Sequence, residues 1–166
     1  MSATAIDPRE LRAGLCRFGT GVCVVTVRGD GDQHGLTVNA FTAVSLEPAL
    51  VLVSIDKRAR GHDLLVGSEF TVNVLGAEQE AVARHFAGDP HPGSVRWDQG
   101  RQPPRLEDAL ATFVCRPWRA YDGGDHTLFL GEVVELDYRD GDALGFVHSR
   151  FTTLPTGALG IEHIFG

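Results

Sequence analysis

Apolar and polar positions alternate with a period of two through much of this chain. The pattern is clearest where Leu36, Val38 and Ala40 alternate with Thr37 and Asn39, as in a half-buried strand. After Ala40 the alternation slips. Phe41 and Ala43 are apolar where the polar face should continue, and Thr42 is polar where the core should be. Val44, Ser45 and Leu46 then restore the first register. A slip of this kind predicts a bulge, which bends a strand and re-aims its side chains. Residues 34–48 are therefore expected to form one bulged strand carrying hydroxyl and amide groups along a barrel-like wall. On pattern alone this is a solvated face, since Thr favours strands. The same wall can also hold a flat polar ligand.

The flanking segments give the rest of the fold. Asp7 caps a helix with Pro8 at its first position, Glu10 stands where a capping-box acid belongs, and Leu11, Leu15 and Phe18 form an apolar stripe. This helix is expected to stop at Gly19 or Gly21. Residues 22–27 read as a buried strand and residues 28–33 as a hairpin turn. Residues 50–55 are apolar on both faces, so both should be covered. A short helix at 62–66, a strand at 70–75 and a helix at 78–86, with Val82 and Phe86 on one face, come next. Residues 89–104 are a long loop anchored by Trp97. A strand centred on 112–115, a turn at 121–124, a strand at 127–136, a turn at 139–142 and a last strand near 144–148 complete the chain. Six or seven strands with a few short helices and no repeat or linker predict a mainly β, closed antiparallel barrel. Residues 1–166 are expected to be a single domain.

Composition removes several function classes. The formal net charge of the 166 residues is -7, which argues against nucleic acid or an anionic membrane as partner. It leaves room for a small anion at a local basic cluster, and Lys57, Arg58 and Arg60 form the densest one, although by itself this run reads better as a solvated loop. Cys16, Cys23 and Cys115 are widely spaced without Cys-x-x-Cys, and the seven histidines lack ligand spacing, so no metal site or redox pair is expected. Gly19-Thr20-Gly21 lacks a third glycine and precedes a strand, so it is not a dinucleotide fingerprint. No signal-peptide run and no apolar segment of ~20 residues is found, which predicts a cytoplasmic protein.

Four stretches, taken in order, resemble the flavin reductase family with the split-barrel fold. They are Phe18-Gly19-Thr20-Gly21-Val22, residues 35–48, residues 70–75 followed by Gln79 and His85-Phe86-Ala87, and residues 124–133. The chain departs from the family at Ala43, where Ser is frequent, at Ala49, where a second Pro is common, and at residues 145–151. The resemblance implies a homodimeric Greek-key split barrel that binds FMN or FAD and reduces it with NADH or NADPH. The reduced flavin would pass to a partner flavin-dependent monooxygenase. It further implies cofactor contacts at Thr37, Val38, Asn39 and Ala40 for the ring, and at Ser54 and Ile55 for the ring or ribityl chain. Lys57, Arg60 and His62 suit the phosphate, and Phe86 is a further cofactor contact. His126 would place the nicotinamide, with Asp125 holding its tautomer. Alternatively Asp125-His126 only closes a hairpin. A non-catalytic flavin-binding or electron-transfer module, or a barrel that has lost flavin, stays open beside the reductase.

Overall fold

A computed structural model describes residues 5–89 and 95–157. Helix α1 (Pro8–Leu15) is followed by β1 (Thr20–Gly21), β2 (Cys23–Arg28), β3 (Gln33–Val38), β4 (Phe41–Leu46) and β5 (Ala49–Asp56). After a 3-10 turn (Asp63–Leu65) come β6 (Phe70–Val74), a second 3-10 turn (Ala77–Gln79) and α2 (Glu80–Phe86). Strands β7 (Ala111–Gly123), β8 (His126–Tyr138), β9 (Ala143–Val147) and β10 (Arg150–Leu154) complete the fold. Seven strands form one antiparallel sheet in the order β3-β2-β6-β7-β8-β5-β4, and β1, β9 and β10 form a smaller one.

The expected single strand at 34–48 is two strands, and the division shapes the molecule. β3 and β4 are consecutive in sequence yet lie on opposite edges of the seven-stranded sheet. Laid flat, those edges would stand roughly 29 Å apart at ~4.8 Å per strand. Only Asn39 and Ala40 join them, and so short a link spans about 10 Å at most. The sheet must therefore roll until its edges approach. Ser54 N–H on β5 donates to Ala40 C=O at 3.2 Å and pins the join. The expected closure is corrected here: among the described residues no ladder pairs β3 with β4, so the rolled sheet is not sealed by backbone hydrogen bonds. The expected slip is present as a bulge in β4, where the pairing with β5 shifts between Ala43 and Ser45.

Two cores share β2. Cys23, Val25 and Val27 point into the rolled sheet with Val53, Ile55, Phe70 and Val72. Val22, just before β2, and Val24 face the opposite way and pack with Leu75, Ala83, Leu106 and Leu144 under α2. Burial on both faces explains the apolar run from Val22 to Val27, broken only by the buried Thr26, and each such apolar side chain stabilises the fold by about 1.5–3 kcal/mol relative to exposure. Asn73 crosses between layers. Its amide donates to Val24 C=O (2.9 Å) and Thr26 Oγ1 (3.0 Å), and its Oδ1 accepts from Leu106 N–H (2.9 Å). These bonds tie the loop before β7 to the sheet, and Trp97 anchors that loop by bridging Leu106 and stacking edge-on with Phe86. Residues 90–94 of the loop lie outside the described residues.

Other boundaries also differ from expectation. The Asp7 carboxylate caps α1 by accepting from Arg9 N–H at 2.8 Å, but the helix ends at Leu15, short of Gly19. Its apolar stripe is exposed: Leu11 at 52%, Leu15 at 63% and Phe18 at 77%. The turn placed at 121–124 lies later, because β7 runs on to Gly123 and pairs with His126 across Gly124 and Asp125. The strand near 144–148 is not the last, since β10 pairs with it over five positions. Two glycines answer to close packing: a Cβ at Gly35 would lie 2.5 Å from the Phe86 ring, and one at Gly131 would lie 2.6 Å from Cys115 Cβ.

Candidate functional site

The site lies where the β3–β4 join meets the end of β5. Val53 and Ile55 are buried in the core, so alternation along β5 turns Ser54 and Asp56 outward. Ser54 pairs with Leu128 and Asp56 with His126, which places these four side chains on one face of the sheet. Ala40 joins this face through the Ser54 hydrogen bond. Ser54 and His126 thus share one face of the sheet, and the exposed Asn39–Ala40 link lies beside its Ser54 end.

Asp125 holds His126 at Nδ1, 2.7 Å from its Oδ1, while no described residue bonds Nε2. The imidazole is 39% exposed, so Nε2 is open to a ligand. The hydrogen bond from His126 holds the Asp125 carboxyl below the usual aspartate range. Asp56 faces His126 across the rung. Its carboxyl is held far below its ordinary value, first by the Arg58 side chain, which binds it at 2.9 and 3.1 Å, and then by Arg58 N–H at 2.8 Å.

The basic segment divides into engaged and open cations. Lys57 Nζ donates to Asp122 Oδ1 at 2.5 Å and to Gly124 C=O at 2.6 Å, and this bond lowers the Asp122 pKa. Arg58 is spent on Asp56. Arg60 is exposed and makes no ion pair with a described residue, so it is the open cation of the three. His62 is committed elsewhere: Nδ1 bonds Asp63 at 2.8 Å, Nε2 bonds Thr127 Oγ1 at 2.8 Å, and the ring meets Phe129 edge-on.

Other expected contacts stand apart from that face. Thr37 Oγ1 donates to Ala83 C=O at 2.7 Å, so its side chain points under α2, on the side where Phe86 packs over Gly35. Val38 packs against the core of the rolled sheet and Ile55 is 2% exposed, which leaves their backbones to a ligand. A trough of about 680 Å³ runs beside the join and is lined by Leu15, Phe18, Phe41 and Val74 together with Asn39, Ala40 and Thr42. Thr20 Oγ1, in the same wall, is a buried hydroxyl without a partner inside the described chain. A second cavity of about 190 Å³ lies behind Thr37 and Asn39 and is walled by Phe146 and Phe151. The sequence singled out neither Asp56 nor Asp122, which engage Arg58 and Lys57 of the basic segment. Asp56 could have been found from its spacing to Arg58; Asp122 meets Lys57 only through the β5–β8–β7 pairing.

A trough of this volume, lined by apolar side chains together with Asn39, Thr20 and Thr42, suits a planar heterocycle with polar edges. A mainly β protein with a part-apolar, part-polar trough at the β3–β4 join and a carboxylate-held imidazole at the start of β8 is the class that fold and site define. Residues 15–155 match the flavin reductase like domain, and the chain belongs to that family. It is 42% identical to an NADH-dependent flavin reductase from Rhodococcus sp over 154 residues, covering 90% of this chain and 88% of the relative. It is 40% identical over 127 residues to the reductase component of 4-hydroxyphenylacetate 3-monooxygenase from Thermus thermophilus, covering 76% and 82%. The solved Streptomyces globisporus NADH:FAD oxidoreductase SgcE6, in complex with NAD and FAD fragments, superposes with a TM-score of 0.83 at 40% identity. The match covers 94% of this chain and 99% of that one.

Proposed function

We propose that this protein is an NADH-dependent flavin reductase that supplies reduced FMN or FAD to a partner monooxygenase. The observation that carries the reading is the sheet face shared by Ser54 and His126, with the Asn39–Ala40 link beside its Ser54 end, within a chain of the flavin reductase family. Bound flavin supplies the hydride acceptor. The backbone amides at the β3–β4 join donate to its polar edge and stabilise the charge that reduction places there. Leu15, Phe18 and Phe41 cover the ring's apolar edge and exclude water. Arg60 binds the phosphate as a fork, with Lys57 beside it once Asp122 yields. His126 Nε2 holds the nicotinamide amide against the flavin, while Asp125 fixes the imidazole's tautomer and orientation. NADH is preferred to NADPH as donor, by likeness to NADH-dependent relatives.

The rolled sheet acts as a split barrel, with residues 1–166 as one domain. Exposed Leu46, Val44, Trp118 and Tyr121 support a homodimer, which light scattering at twice the 17.9 kDa chain mass would establish. No helix among the described residues is long and apolar enough to cross a membrane. Colour and NADH oxidation test the reading together. Purified protein that is colourless but oxidises NADH on addition of FMN is the expected result. A yellow protein without turnover would make it a flavin-binding module, and a colourless inert one a barrel that has lost its flavin.

A further inference from the structure

More than half of the chain's 15 basic residues pair with a carboxylate among the described residues. Four that do not, Arg9, Arg12, Arg17 and Arg150, gather where α1 meets the β9–β10 turn. The contact is direct: His148 N–H donates to Cys16 C=O at 2.7 Å, and Cys16 Sγ lies 3.2 Å from Ser149 Oγ. Arg9, Arg12, Arg17 and His148 line a trough of about 400 Å³ there. Arg9, Arg12 and Cys16 fall at helical spacing on one stripe of α1, and neither Asp7 nor Glu10 forms an ion pair with them. Nothing in the packing calls for this arrangement. No residue of α1 is buried. Arg9 stands in the first turn, where the helix dipole disfavours a cation by about 0.3–1 kcal/mol. His148 and Ser149 both hold left-handed conformations, at φ 50° and 60°, each costly for a residue with a side chain.

The other side of the same helix carries Leu15, and the turn just past it carries Phe18, into the apolar trough beside Asn39 and Ala40. A helix is only about 10–12 Å across with its side chains. A dinucleotide whose ring enters the apolar trough therefore has its diphosphate within reach of the arginines. We propose that the α1–β9/β10 trough binds the diphosphate of an adenosine dinucleotide, the ADP half that NADH and FAD share. Guanidinium forks match phosphate oxygens in pairs, and three unpaired ones on a chain of net charge -7 make a local anion site against the overall field. The assignment rests on the reductase reading. It adds a second anion site to Arg60: Arg60 takes the phosphate of FMN, and the new trough takes the diphosphate of a dinucleotide.

Arg9→Ala/Arg12→Ala tests it, because both side chains are exposed on a helix with no buried residue and the fold should persist. Calorimetry with ADP alone comes first and needs no turnover: wild type should bind ADP, and the variant about tenfold more weakly, ~1.4 kcal/mol. Steady-state assays then name the source. A tenfold higher KM for NADH, with KM for reduced nicotinamide mononucleotide unchanged, assigns the hydride donor. A tenfold weaker Kd for FAD, with FMN unchanged, assigns the flavin. Equal ADP affinity in wild type and variant overturns the proposal, even if the variant loses an acidic partner protein instead. Equal losses for the full and truncated ligands overturn it as well, since they mark a general defect. Wild-type protein that binds ADP but never oxidises NADH with FMN would sink the reductase reading and leave the anion site standing.

Discussion

His62 and His126 carry the same local chemistry and occupy opposite situations. Each bonds a neighbouring aspartate through Nδ1, at 2.8 Å to Asp63 and 2.7 Å to Asp125. Each also lies by Thr127, which His62 bonds and His126 precedes. The His62 side chain, 12% exposed, spends Nε2 on Thr127 and its ring on Phe129. The His126 side chain, 39% exposed, keeps Nε2 open. An Asp-His pair is therefore no sign of chemistry by itself. Burial and the second nitrogen decide between a ring that holds the fold and one that meets a ligand.

Truncation should separate the two most sharply. His62→Ala removes a packed ring and strands Thr127, a loss of about 2–4 kcal/mol. Thermal melting should fall by about 5–15 °C in a chain of this size. His126→Ala should leave the melting temperature within about 2 °C, since its ring is half in solvent. Equal melting shifts in the two variants would erase the distinction.

The same contrast of engaged and open groups applies to the cations. Arg60→Ala should weaken FMN about tenfold, ~1.4 kcal/mol, while riboflavin, which lacks the phosphate, is unaffected. Lys57→Ala should cost less, because its ammonium must first leave Asp122. Equal losses of FMN and riboflavin in fluorescence titrations would remove Arg60 from the phosphate site.

The smallest effect is in the pH dependence of Asp125. Its folded pKa is depressed by His126, so its contribution to stability is present above the unfolded value, about 3.9, and is lost as pH falls through the folded one. Asp125→Asn should therefore melt slightly below wild type above pH 5, and the gap should close as the pH is lowered beneath the folded pKa. A gap that widens with acid would contradict the His126–Asp125 bond.

What the sequence made legible follows from where each signal originates. β2 and β5 were readable because burial on both faces writes itself into mostly apolar runs, and β6 from the alternation of Phe70, Val72 and Val74 with Thr71 and Asn73. The slip near Ala43 was readable because it breaks the alternation of apolar and polar positions. The break at Asn39–Ala40 was not, because the reason for it is that the chain changes sheet edges, a long-range fact. Residues 116–123 of β7 are exposed, so no alternation marks them, and only their pairing with β8 makes them strand. β10 was missed because Arg150, Thr152 and Thr153 look like a solvated tail and gain order only from β9. At the site, the residue types were legible, whereas the open nitrogen of His126 and the engaged one of His62 depend on contacts from β8 and the 3-10 turn.

The most direct test of the account is anaerobic stopped-flow reduction of FMN by NADH in wild type, His126→Ala and His62→Ala, with flavin affinity measured separately. If His126 places the nicotinamide, its alanine variant should bind FMN normally and reduce it about ten- to a hundredfold more slowly, ~1.4–2.8 kcal/mol of barrier. The folded fraction of His62→Ala should reduce FMN at a rate within about threefold of wild type, less than ~1 kcal/mol of barrier. A folded, FMN-binding His126→Ala protein that reduces flavin at the wild-type rate would contradict the account.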